Sequence, residues 1–219
     1  MSRFLGPIHH WLYNKIKLYE ELEAKIIVEI KEKIDPQIVD ASESLISKIG
    51  SPMPNKSLEE IIDTDNIHGW LQSKIVTAET RQAALITHIV FKYGNEGLEK
   101  VKEIYRVQGM ECGKDASERY DVYSAPQIYK ALNNYVLDGM PCDHATNVTI
   151  NEQDHIQWKV SNCLHKGYWE QVGGDLDNFY ELRNIWVASF VSNVNASYSY
   201  TFEVNNISGI KEFVYEIKK

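Results

Sequence analysis

Long apolar runs are missing from this chain. Stretches such as Ile26-Ile27-Val28 fall far short of the roughly 20 residues that span a bilayer. The segment Met1-Ser2-Arg3-Phe4-Leu5-Gly6-Pro7 has no apolar core of signal-peptide length and no small-residue cleavage site. Cysteine is scarce, with three residues, an odd number that argues against a secreted disulfide scaffold. The expected location is therefore cytoplasmic, and the acceptor patterns at Asn147, Asn195 and Asn206 are read as chance matches. Basic clusters are also missing. The net charge is −8, with Lys and Glu intermingled, so neither nucleic acid nor an anionic membrane is an expected partner. No Walker loop, dinucleotide fingerprint, HExxH or GxSxG motif occurs.

What is present is an ordinary globular composition: 219 residues, 43% hydrophobic and 25% charged. That length buries enough surface to fold without disulfides or metal. From Pro7 to about Ile34 the apolar residues Ile8, Trp11, Leu12, Ile16, Tyr19, Leu22, Ile26, Ile27 and Ile30 recur at helical steps, with Glu and Lys in the gaps. Asp35-Pro36 ends that helix. A second runs to Ile49 and stops at Gly50, and Ser51-Pro-Met-Pro-Asn55 is a linker. Ser57-Leu-Glu-Glu60 reads as a capping box. Further helices are expected at about 65–75, 77–92, 96–119 and 125–137, with Gly94 and Asn95 breaking the series.

The period changes after Pro141. Strands are expected at 144–150, 156–162, 197–204 and 212–217, with a helix at 175–190 between the two pairs. The fold class is α+β: a helical N-terminal half followed by a small, mainly antiparallel four-stranded sheet packed against helices. Residues 1–50 form a helical hairpin or extension, and 57–219 an α+β domain that is separate from or continuous with it.

Two Cys-x-His steps, Cys142-Asp-His144 and Cys163-Leu-His165, flank the first hairpin. A four-residue turn, 151–154, sets Cys142 opposite Cys163 and gathers Cys142, His144, Cys163 and His165 as candidate ligands for zinc or another divalent metal. A five-residue turn, 151–155, instead unites Val148, Ile150, Ile156, Trp158 and Val160 on one face. Burial favours this second register, which separates the two thiols. Cys163 at a strand end then remains a candidate nucleophile or ligand, with His165 or His144 as base. Whether a metal or other cofactor takes part is left open.

The stretch Thr77 to Tyr200 resembles the L-2-amino-thiazoline-4-carboxylic acid hydrolase family. The shared features are Tyr93-Gly-Asn-Glu-Gly-Leu-Glu-Lys-Val-Lys-Glu-Ile104, Gly109-Met-Glu-Cys-Gly113, the strand Trp158-Lys-Val-Ser-Asn-Cys163, Tyr168-Trp169-Glu170 and Gly173-Gly174. The resemblance implies hydrolytic opening of a small sulfur- and nitrogen-containing ring, with Cys163 matching the family's strand-end cysteine. The family's second cysteine has no counterpart, because residues 175–219 contain none.

Other candidates are weighed on the residues alone. Tyr168, Trp169 and His88 are ligand-binding candidates, although aromatics and a histidine on an apolar helix face are commonly core. The adjacent His9 and His10 lie about 100° apart on a helix, so one packs and one faces out. Gly109 and Gly113 permit a close backbone approach. The functions in view are a small-molecule hydrolase, a non-catalytic small-molecule or metal-binding module, and a helical partner-binding protein whose first helix, with an apolar stripe that must be covered, docks on another chain or on its own copy as a homodimer.

Overall fold

The computed structural model describes residues 5–140, 143, 146–160, 163–207 and 210–219, with side chains omitted at 206, 207, 210 and 211. Among the described residues seven α-helices and four strands follow in order: α1 (Pro7–Lys33), α2 (Ile38–Ile49), α3 (Leu58–Ile61), α4 (Ile67–Arg119), α5 (Ala125–Leu132), β1 (Thr146–Glu152), β2 (His155–Val160), α6 (Lys166–Gln171), α7 (Leu176–Val194), β3 (Ser199–Ile207) and β4 (Ile210–Lys218). The α+β reading holds. No helix among the described residues is long and apolar enough to cross a membrane.

The chain divides into two compact units: Met1–Val101 with Leu137–Met140 and His165–Leu176, and Lys102–Val136 with Pro141–Leu164 and Asp177–Lys219. In the first unit, Leu12, Tyr13 and Ile16 of α1 pack with Leu58, Ile67, Leu71, Ile75, Ala78, Met53 and Leu137. Leu22, Ile26 and Ile30 are also buried. Most of the apolar stripe of α1 is thus covered within its own unit, while Ile8 at its N-terminal end stays exposed.

Local signals set the ends of these helices. At α3 the Ser57 N–H donates to Glu60 Oε2 at 2.9 Å, as the capping box requires. Gly94 (φ 58°, ψ −140°) interrupts α4 with a backbone conformation that favours glycine. The break expected near residue 76 is not there. Thr77 donates its hydroxyl to the Ser73 carbonyl at 2.9 Å, and the helix runs on through it. The helix expected over 125–137 stops at Leu132.

In the second unit the sheet order is β1-β2-β4-β3, with every pairing antiparallel. Ile156 and Trp158 stand opposite Ile217 and Tyr215, which in turn face Tyr200 and Phe202. These six share one face, since directly paired residues point the same way. Helices cover it: Tyr129 of α5 meets Trp158 with ring centroids 4.6 Å apart, and Asn184 of α7 accepts from the Tyr200 hydroxyl at 2.6 Å. The opposite face is polar, where Gln157 donates to Glu216 at 2.6 Å.

The first hairpin departs from both expected turns. Glu152 pairs with His155, so Gln153 and Asp154 form a two-residue turn, and the register shifts between Val148 and Ile150. Beyond that bulge Val148 opposes Trp158, the pairing that the burial argument favoured. On the turn side Ile150 opposes Gln157 and lies on the other face, which corrects the expectation that it joins Ile156 and Trp158. Cys142 lies outside the described residues, so its facing relative to Cys163 does too.

Gly109 and Gly113 let α4 approach α7 at backbone distance. A Cβ on Gly109 collides with the Trp186 carbonyl oxygen, and one on Gly113 with that of Phe190. Neither oxygen has a rotamer to escape into. Alanine normally gains up to about 1 kcal/mol over glycine in a helix, but here overpacking of about 1–3 kcal/mol opposes it. Gly109→Ala and Gly113→Ala are each expected to lower denaturant stability. Gly167→Ala in α6, where a Cβ meets nothing within 4 Å, is expected to raise it. Equal signs at the three positions contradict the packing account.

Candidate functional site

The densest chemistry in the first unit is a buried carboxylate–imidazole–carboxylate cluster. Glu79 projects from α4, Asp138 from the turn before Gly139, and His165 stands at the N-cap of α6. His165 Nδ1 lies 2.9 Å from Glu79 Oε2, and its Nε2 lies 3.2 Å from Asp138 Oδ1. Glu79 is 1% exposed and His165 7%. Burial by itself lowers the His165 pKa, but the charge of Glu79, then Asp138 and the hydrogen bonds to both, more than reverse that and push it up to about 10. At neutral pH the ring is an imidazolium donating from both nitrogens.

That state bears directly on the catalytic expectation. A general base needs an unprotonated nitrogen within reach of the proton it removes. His165 has neither nitrogen to spare. Glu79 Oε1, sealed in the same cluster, has no hydrogen-bond partner among the described residues.

A second charged cluster lies in the same unit. Arg81, fully buried, donates from Nε to Glu23 at 2.7 Å, from Nη2 to Glu20 at 3.1 Å and from Nη1 to the Gly50 carbonyl at 2.9 Å. Glu20 also accepts the Met53 N–H at 2.9 Å. Burial pushes the Glu23 carboxyl up, and the Arg81 guanidinium only partly offsets it. Each of the three guanidinium nitrogens and most of the acceptors here are committed to the protein's own groups, which is the signature of a structural tie.

Cys163 belongs to the second unit, as a free, half-buried thiol after the end of β2. Its polar neighbour is the Tyr180 phenol of α7. Burial first, and then the Cys163 thiol, push that phenol well above the usual tyrosine range. Tyr180 is itself packed against Phe213 at 4.4 Å between ring centroids and Phe202 at 5.9 Å. Among the described residues the polar group named beside this thiol is a neutral phenol, which takes up no proton near pH 7 and whose hydroxyl has no hydrogen-bond partner.

The remaining candidates are scattered. Trp169 is 1% exposed and fills the first unit's interior, while Tyr168 is half-buried. His88 is half-buried, its Nε2 is without a partner among the described residues, and burial followed by the charge of Lys92 lowers its pKa. His144 and Cys142 lie outside the described residues. The metal alternative loses His165 as a ligand, since both its nitrogens are engaged by carboxylates. No grouping of three His, Cys, Asp or Glu suited to a metal occurs among the described residues. Glu79 and Asp138 escaped the sequence reading, because nothing in their surroundings distinguishes them from other helix and loop carboxylates.

Comparison with known proteins adds no identity: no family model, curated protein or solved structure matches this chain.

Proposed function

We propose that the chain is a small-molecule-binding or sensing module that engages its ligand through the Cys163 thiol. The ring-opening hydrolysis implied by the thiazoline hydrolase resemblance is the competing reading. The observation that supports binding over turnover is the neutral Tyr180 phenol beside Cys163, its buried hydroxyl without a hydrogen-bond partner among the described residues, while His165 is held as an imidazolium by two carboxylates. A cysteine nucleophile needs a neighbouring base or positive charge to become a thiolate near pH 7. A phenol of raised pKa supplies neither. It does supply a hydrogen bond to a bound acceptor.

Two measurements on the full chain separate the readings. Iodoacetamide labelling followed by peptide mass analysis is expected to modify Cys163 in the folded protein. Incubation with 2-amino-thiazoline-4-carboxylate is expected to give no ring opening above the buffer rate. Turnover that disappears in Cys163→Ala restores the hydrolase. A Cys163 that resists alkylation until the protein unfolds removes both readings, because no ligand then reaches the sulfur.

A further inference from the structure

We propose that the contact between His9 and His68 is an acid-released latch joining the first turns of α1 and α4. The two Nε2 atoms lie 3.3 Å apart, with ring centroids at 5.4 Å. His9 is buried at 7% exposure, whereas His68 is exposed.

The proton positions follow from one backbone group. The Gly6 N–H donates to His9 Nδ1 at 2.9 Å, so that nitrogen is unprotonated. The ring is therefore neutral with its proton on Nε2, which points that proton at His68 Nε2. His68 accepts there and carries its own proton on Nδ1. A further proton has no good place. On His9 it meets the Gly6 N–H, and on His68 it meets the His9 N–H. Either turns a hydrogen bond into a donor–donor contact.

The same tautomer argues against a two-histidine metal site. A ligating histidine donates its second ring nitrogen to a neighbour, and here that nitrogen accepts. The surrounding charges are consistent with a neutral pair. His10 on α1 lies 3.3 Å from Glu59 of α3, and the Glu60 carboxylate is held by the Ser57 N–H. Burial first, then His68 and His10, lower the His9 pKa. A histidine whose folded pKa is depressed adds stability above about 6.5, its unfolded value, and that stability is lost as the pH falls below it.

Hydrogen exchange on the full chain tests the latch. Corrected for intrinsic rates, protection of amides in the first turns of α1 is expected to fall about tenfold between pH 7.5 and 5.5. His68→Gln, whose amide bonds without titrating, is expected to flatten that change, and His10→Gln to leave it intact. An unchanged wild-type protection, or the same fall in His68→Gln, overturns the proposal. Nitrogen-15 shifts of the His9 ring at pH 7.5 give an independent check: a proton found on Nδ1 overturns it as well.

Discussion

Arg81→Met is expected to cost about 3–5 kcal/mol and to lower Tm by roughly 10 °C or more. The guanidinium is fully buried and holds Glu23 at 2.7 Å and Glu20 at 3.1 Å. Removing it strands two carboxylates in the interior, Glu20 at 9% and Glu23 at 4% exposure. The deficit is expected to shrink as the pH falls toward 5, because a stranded carboxyl escapes part of its penalty by taking up a proton. The triple variant Arg81→Met, Glu23→Leu, Glu20→Gln is expected to recover most of the loss. Its glutamine keeps an acceptor for the Met53 N–H, and an apolar replacement of a buried ion pair is often neutral. Denaturant titration of the single and triple variants at pH 5 and 7.5 decides the matter. A triple variant no more stable than the single one contradicts the account.

His165→Leu is expected to cost about 3–5 kcal/mol at pH 6 and much less at pH 10. The unfolded imidazole titrates near 6.5, and the folded one is pushed up to about 10. A raised histidine contributes its full stabilisation below 6.5 and loses it as the pH rises through 10. Wild type should therefore weaken over that window, and His165→Leu should not share the decline. The physical cause is Glu79, which at 1% exposure has no solvent to replace the imidazolium. A gap between the two proteins that stays constant at pH 6, 8 and 10 shows that the ring is neutral in the fold.

The fold was legible wherever a local rule governs it. Ser57 and Glu60 announce a capping box across three positions, and Gly94 marks a break that only its backbone tolerates. The antiparallel hairpins follow from alternation. The bulge between Val148 and Ile150 does not, since one extra residue leaves the pattern on either side intact. Charge was misread more deeply. Lys15, Glu20 and Glu23 look like solvated filler between the apolar positions of α1, yet all three are buried. Periodicity assigns a charged residue to water unless its partner is known, and Arg81 stands about sixty positions away. His165 stood out in the sequence only as a candidate base or metal ligand in a Cys-x-His step. Its role was not legible, because the carboxylates that claim both its nitrogens are far off in the chain.

The interleaving of the two units has a consequence for how the protein is made. The chain enters and leaves the first unit repeatedly, and residues up to Leu176 are needed to complete it. On the ribosome Glu79 emerges 86 residues ahead of His165, its countercharge. Through that interval the ion pair that buries Glu79 in the finished fold cannot form. Such distant pairings slow folding and leave apolar surface open to wrong contacts. Synthesis of the last third of the chain is thus expected to set when the first part becomes protease-resistant.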